Sequence, residues 1–428
     1  MLANCSALGF ARSRFPLITR RIALSALAAA LLWLILTHTF VAYLAAAHPI
    51  VASKFSPSDA TVRLALANRE FVTNEQDANS QLGSQTRTRI YGLATGAIRS
   101  EPLDSRGLEI LGLLATTDGK ADEAYKWMSA AAKRSLRRRG AVYWMLNREF
   151  AAHDYASAAR YADSLLRSDP RSMPLVITTM AKMAETPEAR PELQKLLADG
   201  PPWRPPFFIY LRGHINDPRT PLKLLISLRD TRHPATNAEI KTYLRLLTDH
   251  KLYALAYYSW LQFLPADKLG KAGLIFDGDF EFPPSDLPYE WNIQSGAGAI
   301  TEIAPRDDLP NEQALSIEFG SGRIDFHPVY QMLALKPGRY ALSGMFKGDI
   351  HGLRGLRWKI ECLEPAATLA ETEMFLGNFP RWTKFATTFD TPPDCQAQML
   401  ELVLDARSAS EKMVSGSAWF DHIAIERN

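Results

Sequence analysis

The stretch IALSALAAALLWLILTHTFVAYL, from Ile22 to Leu44, is an uncharged apolar run of 23 residues. As an α-helix that rises about 1.5 Å per residue, it spans roughly 34 Å, enough to cross a bilayer core of about 30 Å. The run therefore predicts a transmembrane helix, which we place at residues 22–47. The remainder of the chain is expected to lie against a membrane.

The charges that flank this run predict its orientation. No acidic residue occurs before Asp59, and the segment that precedes the run carries four arginines: Arg12, Arg14, Arg20 and Arg21. The positive-inside rule makes residues 1–21 a cytoplasmic basic tail. Residues 48–428 are then periplasmic or otherwise extracytoplasmic, on a single-pass protein of the inner (plasma) membrane.

Two other interpretations of the N-terminus compete with this signal anchor. A cleaved signal peptide has an apolar core of only about 7 to 15 residues, although Ala45-Ala46-Ala47 suits a signal peptidase. An Arg-rich leader without acidic residues is also typical of a mitochondrial presequence, but a full-length span directly follows this one. His38 is the ionisable residue inside the span, and we interpret it as tolerated rather than as part of a proton path.

Composition limits the class of protein. With 428 residues, 47% hydrophobic and 22% charged, the chain is long enough for two soluble domains beside the anchor. A net charge of +3 is too small to indicate a nucleic-acid partner. Cys362 and Cys395 lie on the oxidising side of the predicted membrane, so we expect them to form a disulfide, with two buried free thiols as the alternative.

Residues 48–270 are predicted to be helical, with an internal period. The segment Gly119-Lys-Ala-Asp-Glu-Ala124 aligns with His153-Asp-Tyr-Ala-Ser-Ala158 at an offset of 34 residues. From Glu101 to about Pro174 the chain therefore resembles a tetratricopeptide array, an α-solenoid of paired helices. Such arrays bind protein partners on an extended concave surface, so the resemblance implies a protein partner.

Local signals extend the helical pattern beyond that array. Thr236 and Glu239 form a capping-box pattern at a helix start. Gly200-Pro-Pro-Trp-Arg-Pro-Pro206 is predicted to be a non-helical elbow in which Trp203 packs. A set of aromatic residues follows, and it comprises Tyr253, Tyr257, Tyr258, Trp260 and Phe263. We interpret these side chains as core packing, with a ligand groove as the alternative.

A cationic segment lies within the array, and it consists of Lys133, Arg134, Arg137, Arg138 and Arg139. Cations are favourable at a helix C-terminus, which makes a solvated helix cap the first interpretation. The alternative is a docking patch for an anionic partner, such as an acidic polysaccharide, lipid headgroups or an acidic protein.

Residues 271–428 change to an alternating pattern broken by Gly, Pro and Asp, which predicts an antiparallel β-sandwich of jelly-roll type. The nine predicted strands are 274–276, 291–294, 314–319, 329–335, 339–346, 356–362, 382–389, 399–404 and 418–425. The predicted fold class is thus multidomain: a transmembrane helix, an α-solenoid, and then a β-sandwich.

Three motifs occur in order in this region: Phe276-Asp-Gly-Asp-Phe-Glu281, Leu335-Lys-Pro-Gly-Arg-Tyr340 and Trp419-Phe-Asp-His-Ile423. Together they resemble the galactose-binding-like jelly roll of many carbohydrate-binding modules. That resemblance implies that Glu281 and Asp421 lie together and fasten the two ends of the sandwich, with a structural Ca²⁺ or with hydrogen bonds alone. It also suggests that Trp291, Tyr330 and Trp382 face a glycan.

No familiar catalytic motif occurs, and Asp307-Asp308 is a poor half of a glycosidase pair because adjacent loop carboxylates are usually solvated. The first hypothesis is a non-catalytic membrane-anchored scaffold of the cell envelope that binds a protein partner and a glycan or other envelope polymer. Its layout resembles that of tetratricopeptide proteins associated with bacterial exopolysaccharide machinery. The alternative is a glycan-active hydrolase with a site between the helical and β domains.

Overall fold

The computed structural model describes residues 17–76 and 83–428. The described residues fall into two compact units, which divide between Asp169 and Pro170. Most of the predicted basic tail, including Arg12 and Arg14, lies outside the described residues. The change from helix to strand falls within the second unit, so the last seven α-helices group with the β-sheets.

The first unit begins with helix α1 (Leu17–Ala47), whose segment Leu24–Ala47 has a mean hydropathy of 2.0 and is long and apolar enough to span a membrane. Three helices follow: α2 (Pro49–Phe55), α3 (Ala60–Gln76) and α4 (Ser84–Ser100). The end of α1 packs onto them, because Ala45 is 1% exposed and shares a hydrophobic cluster with Val62 and Leu66. Helix α1 is therefore docked on the helices that follow it.

Two helix pairs then repeat with the period expected from the sequence. The pairs are α5 (Ser105–Thr117) with α6 (Ala121–Arg134), and α7 (Arg139–Ala151) with α8 (Tyr155–Ser168). Each helix of the second pair begins 34 residues after its counterpart. The turn repeats as well, with positive φ at Gly119 (71°) and His153 (62°). Membership in the tetratricopeptide family stays a prediction.

The pairs are joined by a buried carboxylate. Glu109 on α5 is 8% exposed; it accepts a hydrogen bond from the backbone N of Ala141 at 3.1 Å and lies 2.7 Å from Nη2 of Arg138. It therefore caps the start of α7 from the neighbouring pair. Gly140 makes room for it, since a Cβ there would lie 2.3 Å from Oε1 of Glu109.

The helices of the second unit, after a 3₁₀ turn at Pro170–Ser172, are α9 (Met173–Glu185), α10 (Arg190–Ala198), α11 (Arg204–Leu211), α12 (Thr220–Ser227), α13 (Asn237–Asp249), α14 (Tyr253–Phe263) and α15 (Ala266–Leu269). The capping box of Thr236 and Glu239 is confirmed at the start of α13. The predicted elbow is only half right: Trp203 is buried at 2% exposure, but α11 begins at Arg204. Proline is tolerated in a first helical turn, where its missing N–H has no partner to lose.

Nine strands follow: β1 (Ala299–Pro305), β2 (Gln313–Phe319), β3 (Val329–Leu333), β4 (Gly338–Gly352), β5 (Leu356–Cys362), β6 (Ala367–Glu371), β7 (Gly377–Thr391), β8 (Gln398–Leu404) and β9 (Val414–Arg427). They form a five-stranded sheet in the order β1-β2-β9-β4-β7 and a four-stranded sheet in the order β3-β8-β5-β6. All the strand pairs are antiparallel, as predicted.

The two sheets pack face to face as a sandwich. Their inward side chains form one hydrophobic cluster, in which the rings of Trp358 on β5 and Phe420 on β9 lie 5.7 Å apart. Residues alternate between the core and the outer face along each strand, as in the pattern of β5, where every second residue is buried. The alternation along each strand therefore determines which of its side chains lie on the outer face of the sandwich.

The sequence-based prediction omitted two strands and included two segments that are not regular strands. Strands β1 and β6 were not predicted, while the predicted strands at 274–276 and 291–294 are short stretches with single bridges, at Phe276 and Asn292. The motifs at the two ends of the domain nevertheless meet, because Ile423 N donates to Gly278 O at 2.9 Å. A Cβ at Gly278 would lie 1.8 Å from Ile423 O, so this close approach requires glycine.

Candidate functional site

The outer face of the four-stranded sheet carries a band of half-buried side chains, which we call the polar face. Its members are Tyr330 and Met332 on β3, Met399 and Glu401 on β8, Arg357, Lys359 and Glu361 on β5, and Glu371 on β6. All but Glu371 are intermediate in exposure. A polar band that is neither buried nor fully exposed is a surface on which an extended ligand can lie.

Strand register places four of these residues in one row across the sheet. Tyr330 lies opposite Glu401, Glu401 opposite Lys359, and Lys359 opposite Glu371. At the β6 edge, Glu371 accepts from Lys359 Nζ at 3.1 Å and also pairs with Arg357. Lys359 is thus paired with Glu371, while Arg357 is shared between Glu371 and Asp405, whose Oδ2 lies 3.3 Å from its Nη2.

Glu401 is the residue of the polar face that bears most on ligand binding. Burial raises the pKa of Glu401 above its usual value, and repulsion from Glu361 raises it further. Within the described residues, neither Glu401 nor Glu361 accepts a hydrogen bond from a protein group. Both residues are intermediate in exposure, so a ligand hydroxyl can take the place of water as the donor to either carboxylate.

The chemistry of this arrangement suits a polyhydroxylated ligand. Carboxylate oxygens accept hydrogen bonds from paired hydroxyl groups, while Tyr330, Met332 and Met399 offer apolar surface to C–H groups. Sequence reasoning missed Glu401, because its role depends on which strands become neighbours. The available signal was alternation in Met399-Leu-Glu-Leu-Val403, which assigns Glu401 to the outer face.

The three aromatic residues predicted to face a glycan have different positions. Trp291 is 2% exposed and packs between Phe280 and Trp358, so that prediction is corrected: its large apolar ring is core. Trp382 lies on β7 in the other sheet, with the guanidinium of Arg306 4.5 Å from its ring centre. Tyr330 alone of the three is a half-exposed ring on the polar face.

Arg306, which the sequence did not single out, organises the loop between β1 and β2. It is 5% exposed, with Nη1 2.6 Å from Asp421 Oδ2 and Nη2 2.7 Å from Asp308 Oδ2. The hydrogen bond from Arg306 holds the pKa of Asp308 well below its usual value, and Lys347, 2.6 Å from Asp307, lowers the pKa of that carboxyl as well. Carboxylates that stay ionised cannot act as the general acid of a glycosidase.

The predicted pairing of Glu281 with Asp421 is not the contact found. Glu281 accepts from the backbone N of Gln313 at 3.1 Å, whereas Asp421 lies with Asp279 and His422. Both oxygens of Asp421 are occupied, Oδ2 by Arg306 and Oδ1 by the N–H of His422 at 2.7 Å. These residues do not fit Ca²⁺, which takes six to eight oxygens, because a guanidinium already neutralises the central carboxylate.

A second acidic residue of the opening motif has a structural role. Asp277 is 2% exposed, and its carboxylate accepts hydrogen bonds from the backbone N atoms of Glu281 (2.9 Å) and Phe282 (3.0 Å). Burial outweighs these donors and raises the pKa of Asp277 to about 6. Its carbonyl accepts from Trp291 Nε1 at 2.9 Å, which ties the motif to the sandwich core.

The predicted cationic segment is split by the fold. Arg138 pairs with Glu109, and Arg139 with Asp169 at 3.4 Å. Lys133 and Arg134 lie in the last turn of α6 and are exposed, as is Arg137. The helix-cap interpretation therefore fits the positions of Lys133 and Arg134, and the anionic docking patch is reduced to three free cations in the described part of the unit.

The predicted disulfide between Cys362 and Cys395 is confirmed. It joins the end of β5 to the loop that precedes β8, two segments that are 33 residues apart in the chain. The bond therefore stabilises one end of the four-stranded sheet.

No protein-family model and no curated protein matches the chain. Several solved structures are similar to it in part. A CBM4 module has 18% sequence identity and a TM-score of 0.28, and the match covers 36% of this chain and 99% of that module. A family 16 carbohydrate-binding module has 17% identity and a TM-score of 0.26, and the match covers 36% of this chain and 100% of that module. The CBM22-1 xylan-binding domain of Paenibacillus barcinonensis Xyn10C has 14% identity and a TM-score of 0.25, and the match covers 35% of this chain and 90% of that domain. What this chain binds therefore has to follow from its own residues.

Proposed function

We propose that this protein is a membrane-anchored glycan-binding protein of the cell envelope, whose β-sandwich binds a polysaccharide along the polar face. The observation that carries the proposal is the row of Tyr330, Glu401 and Lys359 across three strands, with Glu401 half-buried and without a hydrogen-bond donor. A sugar chain laid across this row supplies hydroxyl donors to the carboxylates and C–H groups to the tyrosine ring.

Anchoring is the second part of the proposal. Leu24–Ala47 is long enough to span a bilayer, and the docking of Ala45 against Val62 and Leu66 supports an uncleaved helix, since cleavage after Ala47 would remove its side of that cluster. A disulfide supports an oxidising, extracytoplasmic location for the sandwich. The paired helices α5 to α8 would then offer a surface to a protein partner, which makes the chain a scaffold.

Glycan-array binding by the detergent-solubilised full chain tests the first part. The variants Glu401→Gln and Tyr330→Ala should each weaken binding of the best glycan about tenfold or more, since each removes a direct contact at the centre of the row. Lys384→Ala is the matched control, because Lys384 is exposed on β7 of the opposite sheet. Unchanged affinity in both polar-face variants would refute the proposed site.

A further inference from the structure

A separate pocket of about 600 Å³ lies between helix α14 and one end of the sandwich. The residues that matter for its chemistry are Tyr257, Tyr258, Leu274, Lys336, Gln396 and Arg427. Its volume is in the range of roughly 300–1,000 Å³ that small-ligand sites occupy. The polar face contributes no residue to it, and neither do Arg306 and its partners Asp308 and Asp421.

One wall of the pocket is aromatic. The rings of Tyr257 and Tyr258 lie edge to face at 5.7 Å, and the Tyr257 hydroxyl donates to Gly273 O at 3.4 Å. Tyr258 is 57% exposed and Leu274 is 41% exposed, so both side chains are accessible to a ligand in the pocket. This wall offers a ring face to a flat or puckered ring.

The facing wall is cationic. Lys336 is exposed on the turn between β3 and β4, and Arg427 at the end of β9 donates from Nη2 to Pro337 O at 3.3 Å. Among the described residues, no carboxylate lies within ion-pair distance of either side chain. Two uncompensated cations beside a small cavity attract an anionic group, and arginine pairs with carboxylates in a fork geometry.

The pocket is held open by buried polar contacts. Gln398 is 0% exposed; its Oε1 accepts from Leu335 N at 2.9 Å and its Nε2 donates to Cys395 O at 3.0 Å. The Tyr340 hydroxyl donates to Lys336 O at 2.8 Å. The disulfide of Cys395 fixes the same loop. Preorganisation of this kind lowers the ordering cost of binding.

We propose that this pocket binds the end of a saccharide that carries a carboxylate, such as a terminal uronic acid. The sugar ring packs against Tyr258, the carboxylate lies between Lys336 and Arg427, and the Gln396 amide is within the lining to meet ring hydroxyls. The choice of a saccharide over another ring-bearing acid rests on the proposed glycan-binding function. The pocket adds selectivity for acidic chain ends, which the acid-rich polar face cannot supply.

The test compares two trisaccharides that differ only in the terminal residue, glucuronate or glucose, by calorimetry on the full chain in detergent. The glucuronate-terminated probe should bind the wild type about tenfold more tightly, and the preference should shrink as salt rises because the charges are screened. Lys336→Gln should remove most of that preference, whereas Tyr258→Ala should weaken binding of both probes, because either terminal ring packs against Tyr258. Lys384→Gln, which removes an exposed cation from β7, is the control and should retain the preference.

Equal affinity of the wild type for the two probes would overturn the proposal, and so would a preference that survives Lys336→Gln. The variant Glu401→Gln separates this proposal from the previous one. If it abolishes binding of both probes while the pocket variants change nothing, the polar face stands and the acidic-end pocket fails. If only the pocket variants act, the pocket stands and the polar face fails.

Discussion

The guanidinium of Arg306 lies 2.6 Å from the carboxylate of Asp421, and the two side chains are 5% and 1% exposed. Asp421 belongs to the last strand and Arg306 follows the first strand, so one ion pair joins segments that are 115 residues apart. The acidic residue of the closing motif is thus neutralised by a protein cation. A metal is not needed to hold the two ends of the sandwich.

Replacement of Arg306 by Ala should destabilise the protein by about 3–5 kcal/mol, because Asp421 would keep a buried charge without its partner. The measurement is the free energy of unfolding in urea. Arg381→Ala, an exposed position on β7, is the control and should change stability by less than about 0.5 kcal/mol. A loss for Arg306→Ala no larger than that of the control would show that the pair contributes little.

Asp277 should make stability depend on pH. Its pKa is about 6 in the folded protein and near 3.8 when unfolded, so between about pH 4 and 6 the folded state holds a proton that the unfolded state has lost. This contribution to stability is present at low pH and is lost as pH rises through about 6. Unfolding of wild type and Asp277→Asn at pH 4 to 7 should differ by up to about 3 kcal/mol across that range. If the two proteins show the same dependence of unfolding free energy on pH, the raised pKa of Asp277 is excluded.

Removal of the disulfide by a Cys362→Ser and Cys395→Ser double replacement should lower stability by about 3–4 kcal/mol, since the bond closes a loop with a separation of 33 residues. The effect should disappear when wild type and variant are compared under reducing conditions. Thiol labelling of a denatured, unreduced fragment of residues 48–428 should find neither cysteine reactive; two reactive thiols there would contradict the bond.

The mature protein should retain Met1 to Ala47, because the end of α1 is packed into the helical unit. Intact-mass measurement on the membrane-extracted protein checks this, and a mature N-terminus at His48 would rule out the anchor. A phosphatase fused after Asn428 should be active and the same phosphatase fused before Met1 should be silent. The reverse pattern would invert the proposed orientation.

Some of the fold could be predicted because it depends on local patterns. The apolar run, the offset of 34 residues between Ala124 and Ala158, and the capping box of Thr236 each concern neighbours in the chain. Most strands of the sandwich were also found by alternation. Strand β6 was missed because none of its residues is buried, and β1 was missed because only two of its seven residues are buried, which leaves little alternation to recognise.

The candidate sites were predicted less well. Trp291 and Trp382 carry the residue type that suits a sugar, but residue type does not say whether a ring ends in the core or beneath an arginine. Glu401 and Arg306 carried no motif, and each matters only through residues that lie far away in the chain. Residue type was also a poor guide to backbone conformation. Gly119, His153 and Lys251 are three different residues, yet all of them adopt a positive φ of 60–71° at a turn between helices.

By itself the sequence determined the apolar helix, the order of helices before strands, and the cysteine pair, because hydrophobic periodicity and composition act over a few residues. Tertiary structure alone decided that Asp421 pairs with Arg306, that Glu401 lies without a donor beside Glu361, and that Tyr258 and Lys336 line one pocket. These relationships follow from strand order and register, and many strand orders would bury the same apolar residues equally well.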